Sequence, residues 1–162
     1  YLLEAILDVM NMAPPLIKST LSKGAFSEPH SPVRLDERVL LVEDNPVNQI
    51  LARTTLESMG SQVTLARNGE EAVCLWENEP FDVILMDVEM PVMDGLEATK
   101  NIRKKEAETH GHVPIIAMTA HALVEDKERC IRAGMDAYIA KPVRSDQLYR
   151  TIRETLKTVP SK

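Results

Sequence analysis

From Arg38 onward the chain alternates short aliphatic runs with longer amphipathic stretches, and the alternation repeats five times. The runs over 38–43, 62–66, 81–86, 114–118 and 137–140 are rich in Val, Ile, Leu and Ala, and turn-forming residues flank most of them, which predicts strands. Between them the hydrophobic period lengthens to that of a helix. Asn45 and Pro46 supply a cap and a first-turn proline for one helix, which Gly60 ends. Asn68 caps a second, with Ala72, Val73 and Trp76 on one face, and Pro80 closes that unit. Asp94-Gly95 opens a third that turns Leu96, Thr99 and Ile102 inward, and the polar stretch 104–112 reads as its frayed end and loop. A fourth covers about 125–133 and stops at Gly134, and Ser145 caps a last one whose Leu148, Ile152 and Leu156 repeat every fourth residue. Repeated strand-helix units predict an α/β fold, a doubly wound five-stranded parallel sheet covered on both faces. The run 81–86 is almost wholly apolar, as a central strand buried on both sides requires.

Ahead of this pattern the periodicity fades. Over 13–37, Pro14, Pro15, Pro29 and Pro32 are scattered among Ser, Thr and Lys, which reads as a linker. Residues 1–12 form an amphipathic stretch expected to be a short N-terminal helix. Its Leu2, Ile6 and Met10 can be laid on Leu148, Ile152 and Leu156, so it is either the last helix of a preceding domain of the same kind or an unrelated amphipathic helix. The folded domain is expected over 38–158, with a tail over 159–162.

The 162 residues give room for one ordinary domain and an appendage. A net charge of −6 argues against nucleic acid as a direct partner, since phosphate backbones attract basic faces. No apolar run reaches the roughly 20 residues of a membrane helix, so membrane contact by this segment is not expected. Cys74 and Cys130 lie in helix-like segments without metal-ligand spacing, which favours reduced, buried thiols and a cytoplasmic setting, whether or not a parent chain is membrane-anchored. His110 and His112 flank Gly111 and are too few for a metal centre by themselves.

Chemistry enters at the carboxyl ends of the strands, where open parallel sheets bind ligands. Glu43-Asp44, Asp87, Thr119 and Lys141 each stand just past a separate strand-like run. Three carboxylates brought together raise one another's pKa unless a cation compensates, and an all-oxygen set with room for water and phosphate suits Mg²⁺. Asp44 and Asp87 are the expected ligands, with Glu43 farther out. A carboxylate also serves as nucleophile toward phosphorus, and Asp87 is the candidate. Phosphoryl transfer needs charge compensation on the equatorial oxygens, for which Lys141 and Thr119 supply an ammonium and a hydroxyl.

These residues stand in the segments Leu40-Leu41-Val42-Glu43-Asp44-Asn45, Met86-Asp87-Val88-Glu89-Met90-Pro91-Val92-Met93-Asp94-Gly95, Met118-Thr119-Ala120 and Lys141-Pro142. Together they resemble the receiver domains of two-component response regulators, over about Arg38 to Thr158. The resemblance implies a flavodoxin-like sheet of strand order 2-1-3-4-5. It implies that Asp87 takes a phosphoryl group from a phosphohistidine, with Glu43, Asp44 and the backbone carbonyl of Glu89 beside Mg²⁺ or Mn²⁺. It implies Thr119 as the switch hydroxyl, Tyr138 as the aromatic that swings inward, and a cis bond between Lys141 and Pro142. Glu89 and His121 match the two variable positions that flank the path of hydrolytic water, where they tune phosphate lifetime; for His121 an exposed helix-entry role stays open.

The wording Glu43-Asp44-Asn45-Pro46-Val47-Asn48-Gln49 with Met90-Pro91-Val92-Met93-Asp94-Gly95 is most similar to receivers fused to hybrid sensor histidine kinases, and the end of the chain soon after the fifth helix fits a receiver without a DNA-binding output domain. The parent would then be a phosphotransferase, and the partner a histidine kinase or histidine phosphotransfer domain. Dimerisation through the N-terminal helix or the fourth and fifth helix face stays open. Two competing readings are a pseudo-receiver that only docks partners, which retention of all four site residues opposes, and a flavodoxin-like cofactor binder, whose phosphate Glu43 and Asp44 would repel without a metal.

Overall fold

The computed structural model describes residues 34–121 and 123–159. The helix expected over 1–12, most of the expected linker and the last three residues lie outside that range. Five strands, β1 (Arg38–Val42), β2 (Gln62–Ala66), β3 (Val83–Asp87), β4 (Ile115–Thr119) and β5 (Ala137–Ala140), alternate with α1 (Pro46–Ser58), α2 (Gly69–Asn78), α3 (Gly95–Thr109), α4 (Val124–Ala133) and α5 (Ser145–Thr158). All neighbours pair in parallel, in the order β2-β1-β3-β4-β5. This is the expected doubly wound sheet. Every residue of β3 and β4 is buried, as helices on both faces require.

Alternate residues of the inner strands β1, β3 and β4 feed two cores. Leu40, Val42, Ile84, Met86, Ile115 and Ala117 pack with Ala72 of α2, Ala98 and Ile102 of α3 and Cys130 of α4. Val39, Leu41, Val83, Leu85, Ile116, Met118 and Ile139 pack with Leu56 of α1 and with Leu148 and Ile152 of α5. A one-residue slip of register would exchange these two sets, so the cores fix which strand ends meet. Leu35, left in the linker by the sequence pattern, is fully buried in the second core and donates its N–H to the Met59 carbonyl. No described helix is long and apolar enough to cross a membrane.

Three local expectations are corrected. The stretch 104–112 is not frayed from its start: α3 stays helical to Thr109 and ends at His110, whose left-handed backbone (φ 58°) caps it. Its hold is polar. Arg103 donates to Glu106 Oε2 (2.5 Å), Asp136 Oδ2 (2.8 Å) and the Gly134 and Val113 carbonyls, and buried Glu106 accepts the Val113 N–H. His112 joins this group, its Nε2 lying 2.8 Å from Asp136 Oδ1. Ser145 is the first residue of α5 rather than its cap; Arg144 holds the cap position without a side-chain bond. Cys130 is buried but Cys74 is exposed, because it falls on the outer side of α2; both are free thiols.

Candidate functional site

The strand register builds the site. Val42 pairs with Met86, so Glu43 and Asp87 follow side by side, one residue further along their chains. Asp87 pairs with Met118, and Thr119 with Ala140, which brings Thr119 and Lys141 to the same rim. The backbone ladder extends past β4 and β5 through the Lys141 N–H to the Thr119 carbonyl (2.7 Å). The Lys141–Pro142 peptide bond is cis.

Carboxylate oxygens of Glu43, Asp44 and Asp87 all lie within 4.8 Å of one another. Glu43 and Asp87 are buried, 2% and 4% exposed, while Asp44 is open to solvent. Lys141 Nζ donates to Glu43 Oε2 and to Asp87 Oδ2, each at 2.8 Å. The Glu89 N–H reaches Asp87 Oδ1 at 3.2 Å. Three carboxylates against one ammonium leave two negative charges uncompensated, which is the deficit a divalent cation fills. The donors are all oxygen, and one of them faces solvent, so the set fits Mg²⁺ with part of its water shell retained.

Burial pushes the Asp87 carboxyl above the ordinary aspartate range, with the Glu43 charge adding to it, and the Lys141 hydrogen bond only partly opposes this. Burial alone would lower the Lys141 ammonium, but its bonds to Asp87 and Glu43 outweigh that and leave it above the usual lysine value. Lys141 is therefore firmly charged.

Glu43 owes its place to amides to which the sequence pattern gave no role at the site. Its Oε1 accepts the Asn45 N–H (3.1 Å) and the Asn48 side-chain amide (3.2 Å), and Gln49 Nε2 donates to its carbonyl. Asn45 also caps α1, accepting from Val47 and Asn48. The signal was present as side-chain amides in the first turn after an acidic pair, where a helix start holds them near the strand end.

Thr119 is buried, and its hydroxyl is engaged within its own loop, donating to the His121 carbonyl (2.9 Å) and accepting the His121 N–H (3.1 Å). Tyr138 lies outward and is 37% exposed, with Lys127 Nζ 4.5 Å from its ring centre. His121 Nδ1 and Glu89 Oε1 are 3.7 Å apart at the exposed mouth. A hollow of about 420 Å³ opens beside Thr119 and Glu89 and is also lined by Met90, Pro91, Asp94 and Arg129.

The family model described as "Response regulator receiver domain" matches residues 39–153. Sensor histidine kinase GacS of Pseudomonas protegens is 46% identical over 116 residues; the match takes in 71% of this chain and only 13% of that relative's length. The receiver domain of a sensor histidine kinase from Pseudomonas aeruginosa PAO1, solved with a magnesium ion coordinated in its active site cleft, is 45% identical with a TM-score of 0.69, over 76% of this chain and 99% of that one. The receiver domain of Ssk1 from Saccharomyces cerevisiae, solved with the histidine phosphotransfer signaling protein Ypd1, gives 32% identity and a TM-score of 0.72, over 78% and 96%.

Proposed function

The chain belongs to the response regulator receiver domain family, and from that membership we propose that it is the phosphoryl-accepting switch of a phosphorelay, within a parent of the hybrid histidine kinase kind. The observation that carries the reading is Lys141 Nζ, held 2.8 Å from both Glu43 and Asp87 inside a cluster of three carboxylates. In this reading a donor phosphohistidine presents its phosphorus to Asp87. A carboxylate oxygen attacks, the P–N bond breaks with its electron pair returning to the imidazole, and an acyl phosphate forms on Asp87.

Lys141 is the residue for the charge on the transferred oxygens, since its ammonium is already at the carboxylate that receives them. Glu43, Asp44, Asp87 and the Glu89 carbonyl are the groups that would hold Mg²⁺ or Mn²⁺. That ion, when bound, supplies the remaining positive charge that phosphoryl transfer requires. Thr119 is the switch: its hydroxyl, now bonded to the His121 backbone, exchanges that partner for a phosphoryl oxygen, and Tyr138 turns inward as the loop moves. Glu89 and His121, paired across the mouth, set the access of hydrolytic water and hence the lifetime of the phosphorylated state. A histidine kinase or histidine phosphotransfer domain is the donor class, a reading that the Ssk1 complex with Ypd1 supports.

The test is incubation with Mg²⁺ and phosphoramidate, followed by intact mass of wild type and Asp87→Asn. One added phosphoryl group on wild type alone is expected. No addition to either would overturn the reading and leave a docking module.

A further inference from the structure

Two loops flank the acceptor, and they differ in how firmly they are held. The loop from β3 to α3 is pinned: the Gly95 N–H bonds the Val88 carbonyl (3.1 Å), the Gly69 N–H the Met93 carbonyl (3.0 Å) and the Met93 N–H the Pro91 carbonyl (2.9 Å). Both glycines are closely covered, since a Cβ on Gly95 would collide with the Asp87 carbonyl oxygen and one on Gly69 would stand 2.8 Å from that of Met93. Even β-branched Val92 is held with a left-handed backbone (φ 70°). The start of α4 is looser. Leu123 holds its cap position without a side-chain bond, Leu123 and Val124 are exposed, and the Lys127 N–H reaches the Leu123 carbonyl only at 3.2 Å. A rearrangement that follows phosphoryl transfer therefore falls on the α4 side.

Tyr138 of β5 stands across the ladder from Ala117, and Thr119 follows Ala117 on the same face of β4. An inward turn of the ring thus passes over a methyl group toward the switch hydroxyl. In its outward position the ring meets Lys127 of α4, whose Nζ lies 4.5 Å from the ring centre, within reach of a cation–π contact. Lys127 forms no ion pair among the described residues; the acids beside it, Asp126 and Glu128, face Arg129 and Arg132, each at 3.5 Å. It is half-buried all the same, as a stem laid along an aromatic ring would be.

We propose that Lys127 is a positioning residue for the switch, an ammonium that holds the Tyr138 ring outward and so sets how many molecules adopt the inward, phosphoryl-binding arrangement before any phosphate arrives. The inference rests on the proposed function, with Thr119 and Tyr138 as its switch. The attraction is to the face of the ring and is lost when the ring turns in, so it stabilises one of the two arrangements and not the other. A contact of this kind at an exposed site shifts such an equilibrium by about two- to fivefold. Lys127 itself takes no part in the transfer.

The test is a titration of the chain at saturating Mg²⁺ with beryllofluoride, a stand-in for the transferred phosphoryl group, followed by calorimetry. The Tyr138 ring is followed in parallel by fluorine NMR after incorporation of 3-fluorotyrosine, with Tyr138→Phe identifying its resonance. Lys127→Met keeps an apolar stem and loses the charge. It should bind beryllofluoride with a Kd about two- to fivefold lower than wild type, because the competent arrangement is more populated at the outset. Its Tyr138 resonance should already lie shifted toward the saturated position before any beryllofluoride is added. Lys127→Arg, whose guanidinium also stacks on a ring, should stay within about twofold of wild type. On a Tyr138→Leu background, which has no ring to hold, Lys127→Met should leave the Kd where it is. An unchanged Kd for Lys127→Met, or an equal fall on the Tyr138→Leu background, would overturn the inference. No binding of beryllofluoride by wild type would overturn the proposed function and the inference with it, and the phosphoramidate experiment checks that function separately.

Discussion

At the amino ends of β1, β3, β4 and β5 carboxylates are gripped by arginine forks and backbone N–H groups, whereas at the carboxyl ends of the same sheet three carboxylates share one ammonium. Arg38 forks onto Asp82 and Arg103 onto Glu106 and Asp136, while Asp82 and Asp136 also accept backbone N–H groups of Arg38 and Ile115. Across the sheet three carboxylates face one ammonium. A matched end holds strands in place, and removing one partner there exposes a buried opposite charge. An unmatched end costs stability until something positive arrives, and that deficit is its use. The two strands that carry Thr119 and Lys141 are thus fastened at one end and poised at the other.

The sharpest break of this contrast is Asp87→Asn, which should abolish phosphoryl addition by mass while leaving the fold intact by circular dichroism. Next, Arg103→Met should destabilise the domain by about 3 kcal/mol in urea, because buried Glu106 and half-buried Asp136 would lose the guanidinium they share; a loss under about 1 kcal/mol would mean the amino end is not the fastening. Magnesium at about a hundred times its Kd should stabilise wild type by about 2.7 kcal/mol, and Asp87→Asn much less. Without metal, Asp87→Asn should itself be more stable than wild type by about 1 kcal/mol at neutral pH, since it removes one of three crowded charges.

The smallest effect is the pH dependence, where the two ends have opposite signs. Burial raises Asp87, so its destabilisation is felt above its folded pKa and is relieved as pH falls through that value. The Arg38 hydrogen bond lowers Asp82, so its stabilisation is full above the unfolded pKa and is lost as pH falls through the folded one. Melting temperature against pH for metal-free wild type, Asp87→Asn and Asp82→Asn should show the first trend vanish in one variant and the second in the other.

The contrast also explains what could be read from sequence. The strands were legible because their burial is apolar, and the candidate site because each unusual residue follows such a run. The end of α3 was not, since its inward positions include Arg103 and Glu106, which a search for apolar period counts as surface. Ser145 has a cap's chemistry, but the helix begins one residue early and leaves the cap position to Arg144. Asn48 stood in the family wording without a role, because its bond depends on Glu43 turning back toward α1, and the left-handed backbone of Val92 was not foreseen because nothing in its type signals it.

The close cover over Gly69 and Gly95 has a practical side for anyone recombining such domains. The loop 88–94 can be exchanged as a cassette only if both glycines travel with it or are already in the host, because one abuts the acceptor's own carbonyl and the other the Met93 carbonyl. A graft that keeps Asp87 but puts alanine at position 95 would move the acceptor itself, and a chimera could lose its chemistry through an atom that touches no substrate.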